Sequence, residues 1–226
     1  MKRTVFLTVL ATLLFAGFLF AQNNPPRING IIWKPDDISL TYVEGNGTIN
    51  GFFIGRFEIT QAQWKEIMGY NPNDNMKTKG DNLPVSFVSW DDVQKFLKKL
   101  NEQTGRNYRL PTEAEWVYAA KGGNISEGYE YAGSNNIDEV AWYSKNSEVH
   151  AYPVGSKKPN ELGIFDMTGN IAEWCEDCGN KKCSKRAIRG GFSTLFASYS
   201  RVETRNYYAT CSNRNPFHGF RVVLPY

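Results

Sequence analysis

Apolar positions change their rhythm along this chain, and the changes mark out its elements. From Ile38 to Phe57 they come in short runs punctuated by Gly45-Asn46-Gly47 and Asn50-Gly51, which predicts strands and a hairpin. Three amphipathic segments follow. Thr60 precedes a segment in which Trp64, Ile67 and Met68 share a helical face, and Gly69 ends it. Ser89 precedes Asp91 and Asp92, after which Val93, Phe96, Leu97 and Leu100 form an apolar stripe, with Lys95, Lys98 and Lys99 toward the far end. Acid first and base last complements the partial charges at helix termini. Pro111 leads into Thr112-Glu113-Ala114-Glu115, a capping box able to satisfy two otherwise orphaned amides. Trp116 to Ala120 continue that helix, and Gly122-Gly123 stop it. Beyond this point helical periodicity disappears, and Gly, Asn, Tyr and Trp crowd a long stretch of loops and short strands. So much loop in a compact domain must be ordered by aromatic packing, disulfides or a bound ion. There is no internal repeat and no second domain boundary.

The opening is of a different kind. Lys2 and Arg3 precede an apolar run from Val5 to Phe20, and small Ala21 is followed by polar Gln22-Asn23-Asn24. The run falls short of the ~20 residues needed to span a bilayer. Residues 1–21 therefore read as a secretory signal peptide, residues 22–37 as a polar tail or linker, and residues 38–226 as one domain. The expected location is outside the cytoplasm, with no membrane span left after cleavage.

The chain carries 26 Lys and Arg against 23 Asp and Glu. Without Lys2 and Arg3 the balance is 24 against 23, which gives no electrostatic case for nucleic acid or a membrane surface. All four cysteines fall late, at Cys175, Cys178, Cys183 and Cys211. An even number in an exported chain favours two disulfides, and the three possible pairings remain open. A bond closing a loop of ~30 residues, as one to Cys211 would, contributes about 3 kcal/mol.

Familiar catalytic patterns are missing: no phosphate-cradling Gly-Lys-Ser/Thr loop, no G-x-S-x-G elbow, no H-E-x-x-H. His150 and His218 are the only histidines. Trp174-Cys175-Glu176-Asp177-Cys178 has the W-C-x-x-C form of thiol oxidoreductases, but two carboxylates between the thiols raise their pKa where redox pairs lower it. Zinc would need a second C-x-x-C pair.

Tyr108-Arg109-Leu110-Pro111-Thr112-Glu113-Ala114-Glu115-Trp116 resembles the signature of the formylglycine-generating enzyme, or sulfatase-modifying factor, family. Other stretches agree in order: Glu58-Ile59-Thr60 with Gln63-Trp64, Pro84-Val85 with Val88-Ser89-Trp90, and Leu162 to Asn170 with Glu173-Trp174. Arg189-Gly190-Gly191 and Gly219-Phe220-Arg221 complete the set, over residues 38–226. The resemblance implies an α+β, C-type-lectin-like fold rich in irregular structure. It also implies a structural calcium site at Asp166, Thr168, Asn170 and Glu173, whose hard oxygens suit that ion; a second family site, within residues 138–150, matches poorly. Arg109, Arg189 and Arg221 are expected to hold loops by bidentate pairing with Glu113 or Glu115.

One departure bears on function. Active members of the family use two cysteines shortly after Arg-Gly-Gly to bind copper and oxidise a sulfatase cysteine. Here Phe192 to Ser200 contain no cysteine, so both nucleophile and soft metal ligand are missing, copper is not expected, and no catalytic residue is assigned. The stretch is instead dense in Phe, Ser, Tyr, Asn, Thr and Arg, a composition suited to recognition. Phe192, Phe196, Tyr199, Tyr207, Tyr208 and Phe217 are the expected contacts for a protein or small-molecule ligand outside the cytoplasm. The segment also resembles the variable regions of diversity-generating-retroelement proteins, which display binding surfaces on the same fold. A formylglycine-generating oxidase remains the enzymatic alternative.

Overall fold

The computed structural model describes residues 38–77, 79–204 and 207–226. The signal peptide and the linker expected at residues 1–37 lie outside the described residues.

The early hairpin forms as the sequence predicts. Strands β1 (Leu40–Val43) and β2 (Phe52–Gly55) pair antiparallel, with Leu40 opposite Gly55 and Val43 opposite Phe52. The third strand of this sheet, β7 (Val223–Pro225), comes from the far end of the chain and pairs antiparallel with β2. The two ends of the domain thus share one sheet, in the order β1-β2-β7.

Helices α1 (Gln61–Met68), α2 (Trp90–Thr104) and α3 (Glu113–Ala120) begin where their capping chemistry places them. Thr60, Ser89 and Thr112 each accept a hydrogen bond from the third helical amide, and the side chains of Gln63, Asp92 and Glu115 accept one from the amide of the cap residue. The apolar faces of α1 and α2 meet in the core, where Trp64 stacks on Phe96 with ring centroids 5.2 Å apart and Phe220 packs edge-on to both. Trp116 of α3 enters a second cluster with Phe52, Ile54, Ile164 and Met167.

The loop-rich half holds a short helix, α4 (Ile137–Val140), and a four-stranded sheet. Its strands are β3 (Ala172–Cys178), β4 (Lys185–Arg189), β5 (Tyr207–Thr210) and β6 (His218–Gly219), in the order β5-β4-β3-β6. All pairs are antiparallel except β3 with β6. Aromatic packing orders much of the connecting chain: Trp142 stacks on Tyr152 at 3.7 Å, and Phe57 on Phe165 at 5.0 Å.

The expectation of two disulfides is corrected to one, Cys178–Cys183. Position along β3 explains why Cys175 stays out: it lies in the buried first part of the strand, in the Trp116 cluster, while Cys178 lies at the exposed end, beyond an irregularity in the pairing with β4. Burial and neighbouring carboxylates push the Cys175 thiol well above its usual pKa. Cys211 is also a free thiol.

Candidate functional site

Three arginine–carboxylate pairs tie segments of the chain together. Arg109 forks onto Glu115 at 2.7 and 2.6 Å, and buried Arg189 meets Glu113 at 2.6 Å, as expected. Arg221 departs from expectation. It pairs with Glu173, through Nε to Oε2 and Nη2 to Oε1, both at 2.7 Å, and neither residue is exposed to solvent. Its remaining donors reach the Gly55 and Phe165 carbonyls at 2.9 Å. One side chain therefore joins the first sheet, the Phe165 loop and β3.

This pair occupies the stretch where the calcium ligands were expected. Glu173 Oε2 also accepts from Trp116 Nε1 at 2.7 Å. Asp166 Oδ2 accepts from the Gly155 amide at 2.6 Å, the Thr168 hydroxyl from the Ala132 amide at 3.0 Å, and Asn170 Oδ1 from the Tyr152 amide at 2.9 Å. Asn170 Nδ2 in turn donates to Glu58 at 2.7 Å. Among the described residues no group of three or more His, Cys, Asp or Glu side chains is placed to hold a metal ion. In this arrangement Glu173 is paired with the Arg221 guanidinium, while Asp166, Thr168 and Asn170 accept hydrogen bonds from backbone amides.

Two buried carboxylates beside it respond accordingly. Burial raises Glu58 well above the usual carboxylate range, reinforced by Asp166 and Glu173 and opposed by Arg221 and Asn170. Burial also raises Asp166, to about 6, against the Gly155 amide and Arg221.

The segment from Gly191 to His218 leaves this anchored base and returns to it. At Gly191 the backbone takes φ of 73°, and a Cβ there would lie 2.4 Å from the Ser200 hydroxyl, so only glycine lets the loop fold back this closely. The six predicted aromatic contacts divide into two sets. Phe196 and Tyr199 stand out from the surface, 69% and 52% exposed. Phe192 and Phe217 stack on each other at 5.1 Å, half-buried. Tyr207 hydrogen-bonds His218 Nε2, and the Tyr208 ring lies so close over Gly179 that a Cβ there would be 2.3 Å from it. These four pack as much as they present.

Sequence reasoning passed over two features. His218 is buried between Trp174, Phe192 and Tyr207, its Nδ1 has no hydrogen-bond partner, and burial lowers its pKa to about 4. The second is an open cavity of about 360 Å³ where Arg201 and Glu203 face Lys121, Ser126, Gly128, Tyr129 and Glu130. Arg201 pairs with Glu130 and Lys121 with Glu203 across it. Residues about 80 positions apart meet here, and nothing in the local pattern of either segment announces it.

An antiparallel and a mixed sheet, capped helices and a loop-rich half held by buried ion pairs define an α+β domain of C-type-lectin-like form. Residues 37–225 match the model of the sulfatase-modifying factor enzyme 1-like domain, and the chain belongs to that family. A chaperone protein LppX from Paenibacillus barcinonensis is 36% identical over 185 residues, covering 60% of this chain and 65% of that protein. A formylglycine-generating enzyme from Streptomyces coelicolor is 32% identical over 132 residues, covering 53% of this chain and 39% of the enzyme. The chain thus spans less than two thirds of either relative. Among solved structures, Treponema denticola variable protein 1 superposes with a TM-score of 0.70 at 26% identity, covering 82% of this chain and 91% of that one. No described helix is long and apolar enough to cross a membrane.

Proposed function

We propose that this chain is an exported, non-catalytic sulfatase-modifying-factor domain that binds a protein or small-molecule ligand through its 192–218 surface. The observation that carries the reading is the pairing of exposed Phe196 and Tyr199 with a loop that contains no thiol. Large aromatic side chains held on a short turn between buried Gly191 and Ser200 offer contact area at little entropic cost. The adjoining cavity, rimmed by Arg201, Glu203, Lys121 and Glu130, supplies charged partners of both signs. The chain's cysteines all lie elsewhere, on β3, at the start and end of the loop into β4, and after β5. Copper-dependent oxidation of a sulfatase cysteine has no soft ligand pair to start from. The Cys178–Cys183 disulfide supports a location outside the reducing cytoplasm.

Two measurements test this. Incubation with copper and a cysteine-containing sulfatase peptide should leave the peptide unchanged by mass spectrometry; an aldehyde product would overturn the non-catalytic reading. Glycan and peptide arrays probed with the protein and with a Phe196→Ser, Tyr199→Ser double variant should show hits that the variant loses. Identical patterns for the two proteins would overturn the assigned surface.

The likeness to Treponema denticola variable protein 1 favours a second, narrower reading, in which residues 192–218 are a diversified binding region. That reading needs a near-copy of the terminal coding segment and a reverse-transcriptase gene nearby. Their absence from the surrounding sequence would remove it.

A further inference from the structure

Three of the four cysteines converge at one edge of the second sheet, although they are spread over 34 positions of sequence, from Cys178 to Cys211. Cys178 ends β3 and is bonded to Cys183 in the loop that leads into β4. Pairing of β4 with β5 sets Lys185 opposite Thr210, which carries Cys211 to the same end of the sheet. The Cys211 amide donates to the Ser184 carbonyl at 3.3 Å, and its thiol donates to the carbonyl of Cys183 itself at 3.4 Å. The carbonyl of Cys211 accepts from the Asp91 amide at 3.2 Å, so the thiol is held in place at the start of α2. On the other side of the disulfide, Arg186 Nη1 donates to Cys178 Sγ at 3.5 Å. That guanidinium is fixed by the Glu176 carbonyl at 2.5 Å and by stacking over Trp90 at 3.9 Å. Cys183 itself holds φ of 50°, a left-handed conformation that a residue bearing a Cβ adopts at a cost.

Thiol–disulfide exchange requires an attacking thiolate near one sulfur and a stabilised leaving thiolate at the other. Cys211 lies against Cys183, and Arg186 lies against Cys178. We propose that Cys178, Cys183 and Cys211 form an internal exchange site that interconverts two disulfide isomers. The Cys211 thiol gives its proton to solvent, and the thiolate attacks Cys183 Sγ. A Cys183–Cys211 bond forms as the Cys178–Cys183 bond breaks, and the electron pair departs on Cys178, beside the Arg186 guanidinium. One thiol and one disulfide stand on each side of the step, so it consumes no oxidant. Its consequence is a mobile free thiol. In one isomer the reactive group is half-buried Cys211; in the other it is Cys178, at an exposed position where an external disulfide can reach it. Cys175, enclosed in the core, takes no part.

The test is trapping of the native full-length protein at pH 8 with N-ethylmaleimide, followed by non-reducing peptide mapping. Labelled Cys178 together with a Cys183–Cys211 linked peptide is the expected result, and a Cys211→Ser variant should show neither. Label confined to Cys211, with Cys178–Cys183 as the only linked pair after hours of incubation, would overturn the proposal. A Cys178→Ser variant, checked by thermal melt, measures reach directly. In a glutathione-disulfide buffer its Cys183 and Cys211 should join to each other; two separate glutathione adducts would equally overturn it. Neither measurement depends on whether residues 192–218 bind a ligand.

Discussion

His218 sits at the joint between β6 and the aromatic packing of the 192–218 segment, and its ring is held uncharged. Burial sets its pKa at about 4, below the 6.5 of an unfolded histidine, so its contribution to stability is fully present above pH 6.5 and is lost as pH falls toward 4. Asp166 works the other way. Its raised value, about 6, makes the folded state hold a proton the unfolded chain gives up near 4, so that contribution is lost as pH rises through 6. The two slopes oppose each other in the same window, and a melt of the wild-type protein alone would hide both. Urea unfolding of wild type and of His218→Gln between pH 7 and pH 4 separates them. The histidine protein should lose up to about 3 kcal/mol relative to the variant across that range, since a tenfold change in proton affinity between folded and unfolded chain is worth about 1.4 kcal/mol. A constant difference would mean that His218 is not held neutral. At this scale the sequence is a poor guide. His218 is one of only two histidines and carries no motif. Its environment is assembled from Trp174, Phe192 and Tyr207, on three separate segments.

The elements were far more legible, because helix starts are written in contiguous residues. Thr112 and Glu115 lie three apart, and the cap they form is local. The structure adds a second duty to Glu115: its carboxylate accepts from the Thr112 amide at 2.8 Å while also taking the Arg109 fork. Thr112→Ala should therefore cost about 1 kcal/mol, as caps usually do. Glu115→Ala should cost more, about 2–3 kcal/mol, because a half-buried guanidinium loses its partner as well. For a domain of this size those losses correspond to roughly 2–4 °C and 4–12 °C in melting temperature. Equal shifts for the two variants would show that the Arg109 pair contributes nothing. The disulfides failed to be legible for the opposite reason. Cys175 and Cys178 are near in sequence, yet one turns into the core and the other to solvent, and sequence spacing alone leaves that facing undetermined.

For the whole molecule, the family resemblance carried the fold, while the pairing expected of the arginines held for Arg109 and Arg189 and not for Arg221. The oxygens of Asp166, Thr168, Asn170 and Glu173 read equally well in the sequence as ligands for a metal or as partners for protein donors, and the partner of Glu173, Arg221, arrives from the far end of the chain. Each of these side chains already holds a protein hydrogen-bond donor, Glu173 those of Arg221 and Trp116. We therefore expect EDTA to leave the melting temperature unchanged, within about 1 °C of the untreated protein. A fall of several degrees, reversed by added calcium, would restore the metal reading.

Arg221 has one more consequence, and it concerns time. Its contact with the Gly55 carbonyl spans 166 residues, and β2 waits for β7 to complete its sheet. A chain leaving the ribosome can form α1, α2 and α3 early, since their caps and stripes are local. It cannot close its first sheet or neutralise Glu173 until the residues around Arg221 have been made. Contacts of such long sequence separation fold slowly. Until then the first sheet lacks its third strand and the core around Phe52 and Ile54 stays open, however early the helices form.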